Sequence, residues 1–222
     1  MFSSDTPIFQ FRGPYGIPVE IGASILFLAF IFLFPFTTGA DLIDNLIFFA
    51  LILLAIFLHE MGHAWGTVIQ GHAVKRVVIY GGGGFCEGTK VLSRSEEEFV
   101  VIMGPLVNLG LWALSSLAVP YADNLGWITV GDYLYWFADI NIFLFCLNMI
   151  PVQPLDGGKL LYLTLRRWNA RGLAIRIAGG IGLVFAVLWI PAMIYSFLTL
   201  GYLLLFMSSI PLHLRMAQGK IA

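Results

Sequence analysis

Residues 46–70 read LIFFALILLAIFLHEMGHAWGTVIQ, an apolar run that contains three titratable side chains, His59, Glu60 and His63. A helix that crosses a bilayer needs roughly 20 apolar residues, so this run is long enough to span one. Titratable groups at membrane depth are costly, and those that occur generally serve a function. The run therefore predicts a transmembrane helix that carries a functional site.

The spacing of these three side chains is typical of a metal site. His59 and His63 are four residues apart, so their imidazoles share one face of the helix and can bind the same ion. Glu60 lies beside them, where it can act as a base toward a metal-bound water. The pattern predicts one Zn²⁺ per chain and zinc hydrolysis inside the bilayer. The alternative is a polar seam in which two packed histidines accompany a neutral, hydrogen-bonded Glu60.

The composition of the chain indicates a polytopic membrane protein. Of its 222 residues, 59% are hydrophobic and 11% are charged, and the mean hydropathy is +0.88. A soluble globule of this size with such a composition would have too little polar surface. We expect an all-α membrane protein with a single domain, residues 1–222. We expect about six transmembrane helices, at residues 19–38, 46–70, 99–119, 134–150, 173–190 and 192–210, with Pro191 as a kink or a turn between the last two.

The positions of the basic residues predict the orientation of these helices, because loops rich in Lys and Arg stay on the cytoplasmic side. With six spans, all 12 Lys and Arg fall on one side, and the opposite loops have Asp but no Lys or Arg. Both termini are therefore predicted to be cytoplasmic. His59 comes 13 residues after the start of its span. At ~1.5 Å per residue, the metal site is expected about 10 Å below the cytoplasmic face of a roughly 30 Å core.

A third metal ligand is expected outside this helix, because a catalytic zinc normally has three protein ligands and one open position. Asp156 is the best placed of the acids within or beside the apolar spans, which are Glu20, Asp132, Asp139 and Asp156. It belongs to residues 148–158, NMIPVQPLDGG, at the predicted cytoplasmic end of the fourth span. Two prolines and two glycines break the helix there and let the backbone bring the carboxylate toward a metal on another span. A helix N-cap is the alternative role for Asp156.

These motifs together resemble those of the site-2 protease family of intramembrane zinc metalloproteases. H-E-x-x-H occupies residues 59–63 and N-x-x-P-x-x-P-L-D-G-G occupies residues 148–158, with a G-P-x-x-N element at residues 104–108 between them. The resemblance covers the second to fourth spans, and it implies a catalytic core of about residues 46–165. The chain would be a minimal member, without the PDZ or CBS domains that some members carry.

The resemblance also implies the roles of the site residues. His59, His63 and Asp156 would be the zinc ligands and Glu60 the base. The substrate would be a transmembrane segment of another membrane protein, cleaved within or near the lipid bilayer in regulated intramembrane proteolysis. The 19 Phe and six Trp are expected to face lipid or its interface, so no nucleic-acid partner is expected.

Two asparagines are candidates for the donors that stabilise the oxyanion of the tetrahedral intermediate. Asn148 begins the proline-rich motif, and Asn108 ends the G-P-x-x-N element. Each is equally consistent with a hydrogen bond between helices inside the bundle.

A small cytoplasmic-side β-hairpin is predicted between the second and third helices. Residues 74–80 are β-branched and aromatic, residues 81–84 are four glycines, and residues 85–92 can return as a second strand. A transmembrane helix must unwind before its backbone can be cleaved, and an edge of the hairpin could hold the unwound substrate as an added strand. Alternatively, the hairpin only seals the cytoplasmic face.

Two other functions use the same ligands without hydrolysis. A zinc-binding membrane transporter would need polar sites across the membrane, but the acids here cluster at one depth. A non-proteolytic membrane scaffold would not need the base, and Glu60 is present. Intramembrane proteolysis is therefore the favoured function.

Overall fold

The computed structural model describes residues 5–34, 38–200 and 208–221, and these form two compact units, Met1–Phe145 and Cys146–Ala222. The first unit combines long helices with a four-stranded sheet. Its elements are β1 (Pro7–Arg12), β2 (Pro18–Gly22), α1 (Ile25–Leu33), α2 (Gly39–Ile69), β3 (Val74–Tyr80), β4 (Gly83–Gly88), α3 (Arg94–Asn124) and most of α4 (Ile128–Asn148).

Helix α2 contains the H-E-x-x-H motif and begins and ends with defined signals. Thr38 and Asp41 form a capping box at its N-terminus, which satisfies backbone donors that would otherwise have no helical partner. After Gln70, Gly71 adopts a positive φ of 79°, a conformation that ends helices and favours glycine. A second capping box, of Ser93 and Glu96, starts α3, which packs along α2.

The sheet has the strand order β1-β2-β3-β4 and packs on α2 beside the motif. β1 and β2 pair antiparallel, β2 and β3 pair parallel, and β3 and β4 pair antiparallel. Val19 of β2 and Val77 of β3 are fully buried against Met61 and Ala64 of α2. This burial of β-branched side chains fixes the sheet next to the motif-bearing part of the helix.

The predicted hairpin corresponds to β3 and β4, with two differences. The second strand is Gly83–Gly88 rather than residues 85–92, so two of the four glycines belong to the strand. The hairpin is also half of a larger sheet, because the N-terminal strands β1 and β2 add to β3. The prediction that this region is cytoplasmic stays a prediction.

The prediction of six spanning helices is only partly matched. Within the described residues, four helices are long and apolar enough to cross a membrane: Asp41–Ile69, Arg94–Asn124, Ile128–Asn148 and Arg171–Ser196. The predicted first span, residues 19–38, is not a single helix. It starts as strand β2 and continues as α1, whose nine residues rise only about 13 Å. Strand pairing with β1 and β3 satisfies the backbone of β2, so an apolar sequence there need not be helical.

The second unit contains α5 (Asp156–Leu165), α6 (Arg171–Leu200) and α7 (Ile210–Ala217). Helix α6 runs through Pro191, so the predicted turn there is absent, and membrane helices tolerate such a proline. The predicted sixth span, residues 192–210, lies partly outside the described residues. Helix α7 packs on α6 through a small core of Ile175, Ala178 and Met216.

Candidate metal centre

The three side chains of the H-E-x-x-H motif lie together in the interior of the first unit. His59, Glu60 and His63 are all buried, and the helix that carries them is mostly apolar. One potential ligand atom from each lies within 4.8 Å of the others, so the three could hold a metal ion. The structure therefore matches the face sharing expected from the four-residue spacing.

The two imidazoles are oriented by acceptors on α3. His63 Nδ1 lies 2.8 Å from the carbonyl oxygen of Val100, and His59 Nδ1 lies 2.6 Å from Oδ1 of Asn108. Both partners are oxygens that accept hydrogen bonds, so each Nδ1 carries the proton and donates. In the neutral rings, both Nε2 atoms then present lone pairs.

The separation of these two nitrogen atoms fits a shared metal ion. The Nε2 atoms of His59 and His63 are 3.1 Å apart, a separation at which two lone pairs repel. A cation bound by both atoms removes that repulsion, and ligating histidines typically donate their other ring N–H to a carbonyl or carboxylate. The donor set and its surrounding hydrogen bonds are therefore compatible with a bound metal ion.

Asn108 links the centre to a second amide that the sequence reasoning missed. Asn108 is fully buried, and its Nδ2 donates to Oδ1 of Asn141 over 2.8 Å. Asn141 on α4 is also fully buried and donates to the carbonyl of Phe137. The chain of bonds runs from α4 through α3 to His59. A lone asparagine within an apolar span was the available signal, since such amides are costly unless bonded.

Gly104 of the G-P-x-x-N element faces the gap between the two histidines. A Cβ at this position would overlap His63 Nε2 and lie 2.8 Å from His59 Nε2. No residue with a side chain can occupy it without displacing the imidazoles. The element therefore supplies both the space for an ion, at Gly104, and the orienting amide, at Asn108.

The sheet reaches the centre at Glu60. A Cβ at Gly84 of β4 would lie 2.6 Å from Glu60 Cγ, so the strand backbone passes directly over this side chain. Burial, followed by the negative charges of Glu60 and Asp5, raises the pKa of Tyr80 on β3. Glu60 Oε2 is inaccessible to solvent. The carboxylate is thus enclosed between α2 and the hairpin.

The remaining predicted site residues belong to the second unit. Asp156 is the first residue of α5, and its Oδ2 is buried. The N-cap position is Leu155, so the alternative role of Asp156 as N-cap does not hold. Asn148 is the last residue of α4.

The acids that were ranked below Asp156 lie elsewhere in the first unit. Glu20 forms an ion pair with Arg76 on the sheet, over 2.8 Å. Asp132 and Asp139 are exposed on α4.

Comparison with known proteins shows similarity to one peptidase family. The model of peptidase family M50 matches residues 115–191, which include the whole N-x-x-P-x-x-P-L-D-G-G stretch. The chain is thus similar to M50 peptidases, which supports its resemblance to the site-2 protease family. It is 27% identical over 200 residues to a zinc metalloprotease of Methanocaldococcus jannaschii, covering 87% of this chain and 55% of that protein.

One further curated relative and one solved structure are also similar to this chain. Stage IV sporulation protein FB of Bacillus subtilis is 35% identical over 118 residues, which cover 50% of this chain and 38% of that protein. The chain thus spans about half or less of the length of these two curated relatives. The solved structure of the site-2 protease from Methanocaldococcus jannaschii shares the fold, with a TM-score of 0.61 at 20% identity over 95% of this chain and 92% of that one. The protein is an integral membrane protein, and its predicted resemblance to the site-2 protease family is confirmed.

Proposed function

We propose that this protein is an intramembrane zinc metalloprotease, which hydrolyses a peptide bond within or near a transmembrane segment of another membrane protein. One observation carries the proposal. Two histidine Nε2 atoms converge at 3.1 Å in an apolar helix, with the buried carboxylate of Glu60 beside them. The match to peptidase family M50 supports the same chemistry.

The proposed metal ligands are His59, His63 and Asp156, holding one Zn²⁺. When bound, zinc supplies a Lewis acid that polarises the scissile carbonyl and acidifies water. Asp156 is supported by the N-x-x-P-x-x-P-L-D-G-G motif and by the buried position of its carboxylate at the start of α5. Asp156 is also the only Asp or Glu after residue 139, so no other carboxylate in the second unit can take this role.

Glu60 is proposed as the general base. It accepts a proton from the attacking water and later donates it to the leaving amine, a role that needs a carboxylate within reach of both. Enclosure by α2 and β4 fixes the side chain and limits access of bulk water. A carboxylate held in this way is preorganised for proton transfer.

The two asparagines are proposed to act differently from each other. The amide of Asn108 is engaged by His59 and Asn141, which supports an orienting role toward His59. Loss of such a hydrogen-bond partner of a ligating histidine typically lowers metal affinity about 10–100-fold. Asn148, beside the proline-rich motif, remains the proposed donor to the oxyanion.

The proposed substrate path follows the last strand of the sheet. β3 is paired on both sides, by β2 and β4, whereas β4 ends the strand order among the described strands. An unwound substrate can add to β4 through backbone hydrogen bonds. Because Gly84 of β4 lies over Glu60, a strand added there would pass close to the base.

The proposed topology places both termini and the hairpin on the cytoplasmic side, with the centre near that face. Parallel pairing of β2 with β3 supports it, because the pairing brings Arg12, Lys75 and Arg76 into one sheet. Basic residues gathered on one side match the usual retention of positive charge in the cytoplasm. A single membrane domain with a catalytic core of about residues 46–165 stays part of this proposal.

Removal of the metal tests the proposed function directly. Purified protein in liposomes is expected to contain about one zinc per chain and to cleave a co-reconstituted transmembrane substrate within its apolar segment. Chelation is expected to abolish cleavage, and added Zn²⁺ to restore it, because the base alone activates water poorly. Mass spectrometry of the products and metal analysis provide the measurements.

Two results would contradict the proposal. Protein without zinc after purification and after zinc addition would exclude the metal centre. Zinc-loaded protein that cleaves no helix-destabilised substrate, but moves Zn²⁺ into liposomes, would favour the transporter.

Strand addition predicts a periodic pattern of substrate requirements. Successive N–H groups of a strand point to opposite sides, so only alternate residues of the substrate bond to β4. Single prolines placed along the substrate, on the side of the cleavage site that pairs with β4, are expected to reduce cleavage at every second position. Proline removes the N–H without a large change in volume. Cleavage rates measured for the full scan check this.

A proline scan without a two-residue period would contradict strand addition. Uniformly faster cleavage would indicate that prolines act only by unwinding the substrate helix, and the hairpin would then only cover the centre.

A further inference from the structure

A buried histidine in the last helix contacts the segment that leads into Asp156. His213 of α7 is fully buried. Its Nδ1 donates to the carbonyl of Ser209 over 2.8 Å, so the neutral ring carries its proton there. Its Nε2 accepts a hydrogen bond from the backbone N–H of Gln153 over 3.0 Å. This histidine is not part of the H-E-x-x-H centre and has no role in the proposed proton transfer.

The bond from Gln153 is unusual within its segment. Residues 151–155 have three backbone N–H groups, because Pro151 and Pro154 have none. The N–H of Val152 and that of Leu155 bond to carbonyls nearby in the chain, those of Ile150 and Val152. The Gln153 N–H is the one that reaches another element. The hydrogen bond to His213 therefore connects the backbone of this segment to another helix of the second unit.

Two glycines allow close packing around the Gln153 peptide and the His213 ring. On α6, a Cβ at Gly182 would overlap the His213 ring and lie 2.7 Å from its Nε2. On α5, a Cβ at Gly158 would lie 2.6 Å from the Gln153 nitrogen. Val152, on the other side of that peptide, is buried. The peptide is thus fixed between α5 and the His213 ring, and the ring position depends on the notch at Gly182.

We propose that His213 is a positioning residue for Asp156. It holds the Gln153 peptide three residues before Asp156, and so sets where the chain enters α5 and presents the carboxylate. This inference rests on the proposed function, in which Asp156 is a zinc ligand. Outer hydrogen bonds that orient ligands commonly change metal affinity about 10–100-fold. The last helix thereby contributes to metal binding without contacting the metal.

Two glycines of α6 offer a matched pair of variants. Gly182→Ala adds a methyl group against the His213 ring, whereas Gly180→Ala adds one that meets no described atom within 4 Å outside its own helix backbone. Both changes favour the helix equally. We expect Gly182→Ala to weaken zinc binding by about 10-fold or more, and Gly180→Ala to leave it at the wild-type value. Competition with a chromophoric chelator measures the affinity of the full chain in detergent.

Substitutions of His213 separate positioning from packing. Glutamine can place an oxygen near the position of Nε2 and accept from Gln153, but leucine cannot. We expect His213→Leu to lower zinc affinity and His213→Gln to restore much of it. Met216→Ala is the control, since it removes buried contacts of α7 without touching the bond. It is expected to lower thermal stability while zinc affinity stays unchanged.

The possible outcomes distinguish this inference from the proposed function. Wild-type protein that binds zinc and cleaves, with Gly182→Ala and His213→Leu equal to it in zinc affinity, would overturn the positioning role alone. Equal loss of zinc affinity in His213→Leu, His213→Gln and Met216→Ala would also overturn it, because loss of packing alone would then explain the lower affinity. Wild-type protein that binds no zinc would overturn the proposed function itself.

Discussion

Glu60→Gln is expected to abolish cleavage while zinc remains bound. Glutamine keeps the shape of the side chain but cannot accept a proton from water. Loss of a positioned general base usually costs about 10²–10⁴-fold in rate. Because the proposed ligands are His59, His63 and Asp156, metal content should stay near one zinc per chain. The measurements are the rate of substrate cleavage in liposomes and zinc analysis of the same preparation.

The chain offers a control carboxylate on the sheet. Glu87 pairs with Lys75 and Arg76, whose hydrogen bonds, that from Lys75 first, lower its pKa. Exposed pairs of this kind contribute little, so Glu87→Gln is expected to cleave at close to the wild-type rate. If Glu60→Gln kept more than about a tenth of the wild-type rate, the loss would be smaller than the usual contribution of a general base. Another group would then carry out the proton transfer. Loss of zinc from this variant would instead make Glu60 a ligand.

The helix face that carries His59 and His63 could be predicted from the sequence, because the pattern that defines it is local. Two histidines four residues apart share a helix face wherever that helix lies, and an apolar run of this length predicts the helix. The capping residues Thr38 and Asp41 reinforce the same prediction. Each of these relations holds within one or two helical turns, so no knowledge of tertiary structure was needed.

The N-terminal strands could not be predicted because their pairing is long-range. Val19 and Ile21 of β2 pair with Val77 and Ile79 of β3, nearly 60 residues later. Hydropathy registers only that residues 19–38 are apolar, and a buried strand is as apolar as a membrane helix. The six-span prediction therefore assigned a spanning helix where the chain has β2 and the short α1.

The surroundings of the metal centre were only partly accessible from sequence. The G-P-x-x-N element was visible, but the separate uses of its Gly104 and Asn108 depend on how closely α3 approaches α2. Asn141 carries no motif, and only its bond to Asn108 reveals it. The same holds for His213 and Gln153, which are 60 residues apart. Such contacts depend on tertiary packing, which periodicity does not report.

Gly104→Ala is expected to remove zinc binding and cleavage together. The added methyl group would overlap His63 Nε2 and lie 2.8 Å from His59 Nε2, which is the space that a shared ion must occupy. Atoms at such distances cannot coexist, so the imidazoles must rotate away from each other or the helices must separate. Either movement breaks the orienting bonds of at least one ring, to Val100 or Asn108. We expect zinc affinity to fall by more than the roughly 100-fold upper range of outer-bond effects.

Gly110→Ala is the matched control for this variant. Gly110 lies on the same helix, and among the described residues a Cβ there meets nothing within 4 Å outside its own helix backbone. Alanine favours a helix over glycine by about 1 kcal/mol, so neither variant lowers the intrinsic helix propensity of α3. Thermal unfolding and zinc competition on the two proteins separate loss of the ion from loss of the fold. Gly104→Ala protein that stays folded and binds zinc as tightly as Gly110→Ala would show that the two Nε2 atoms do not share a metal. The opposite result, loss of zinc with an intact fold in Gly104→Ala alone, would locate the ion between His59 and His63, because no other part of the chain is changed.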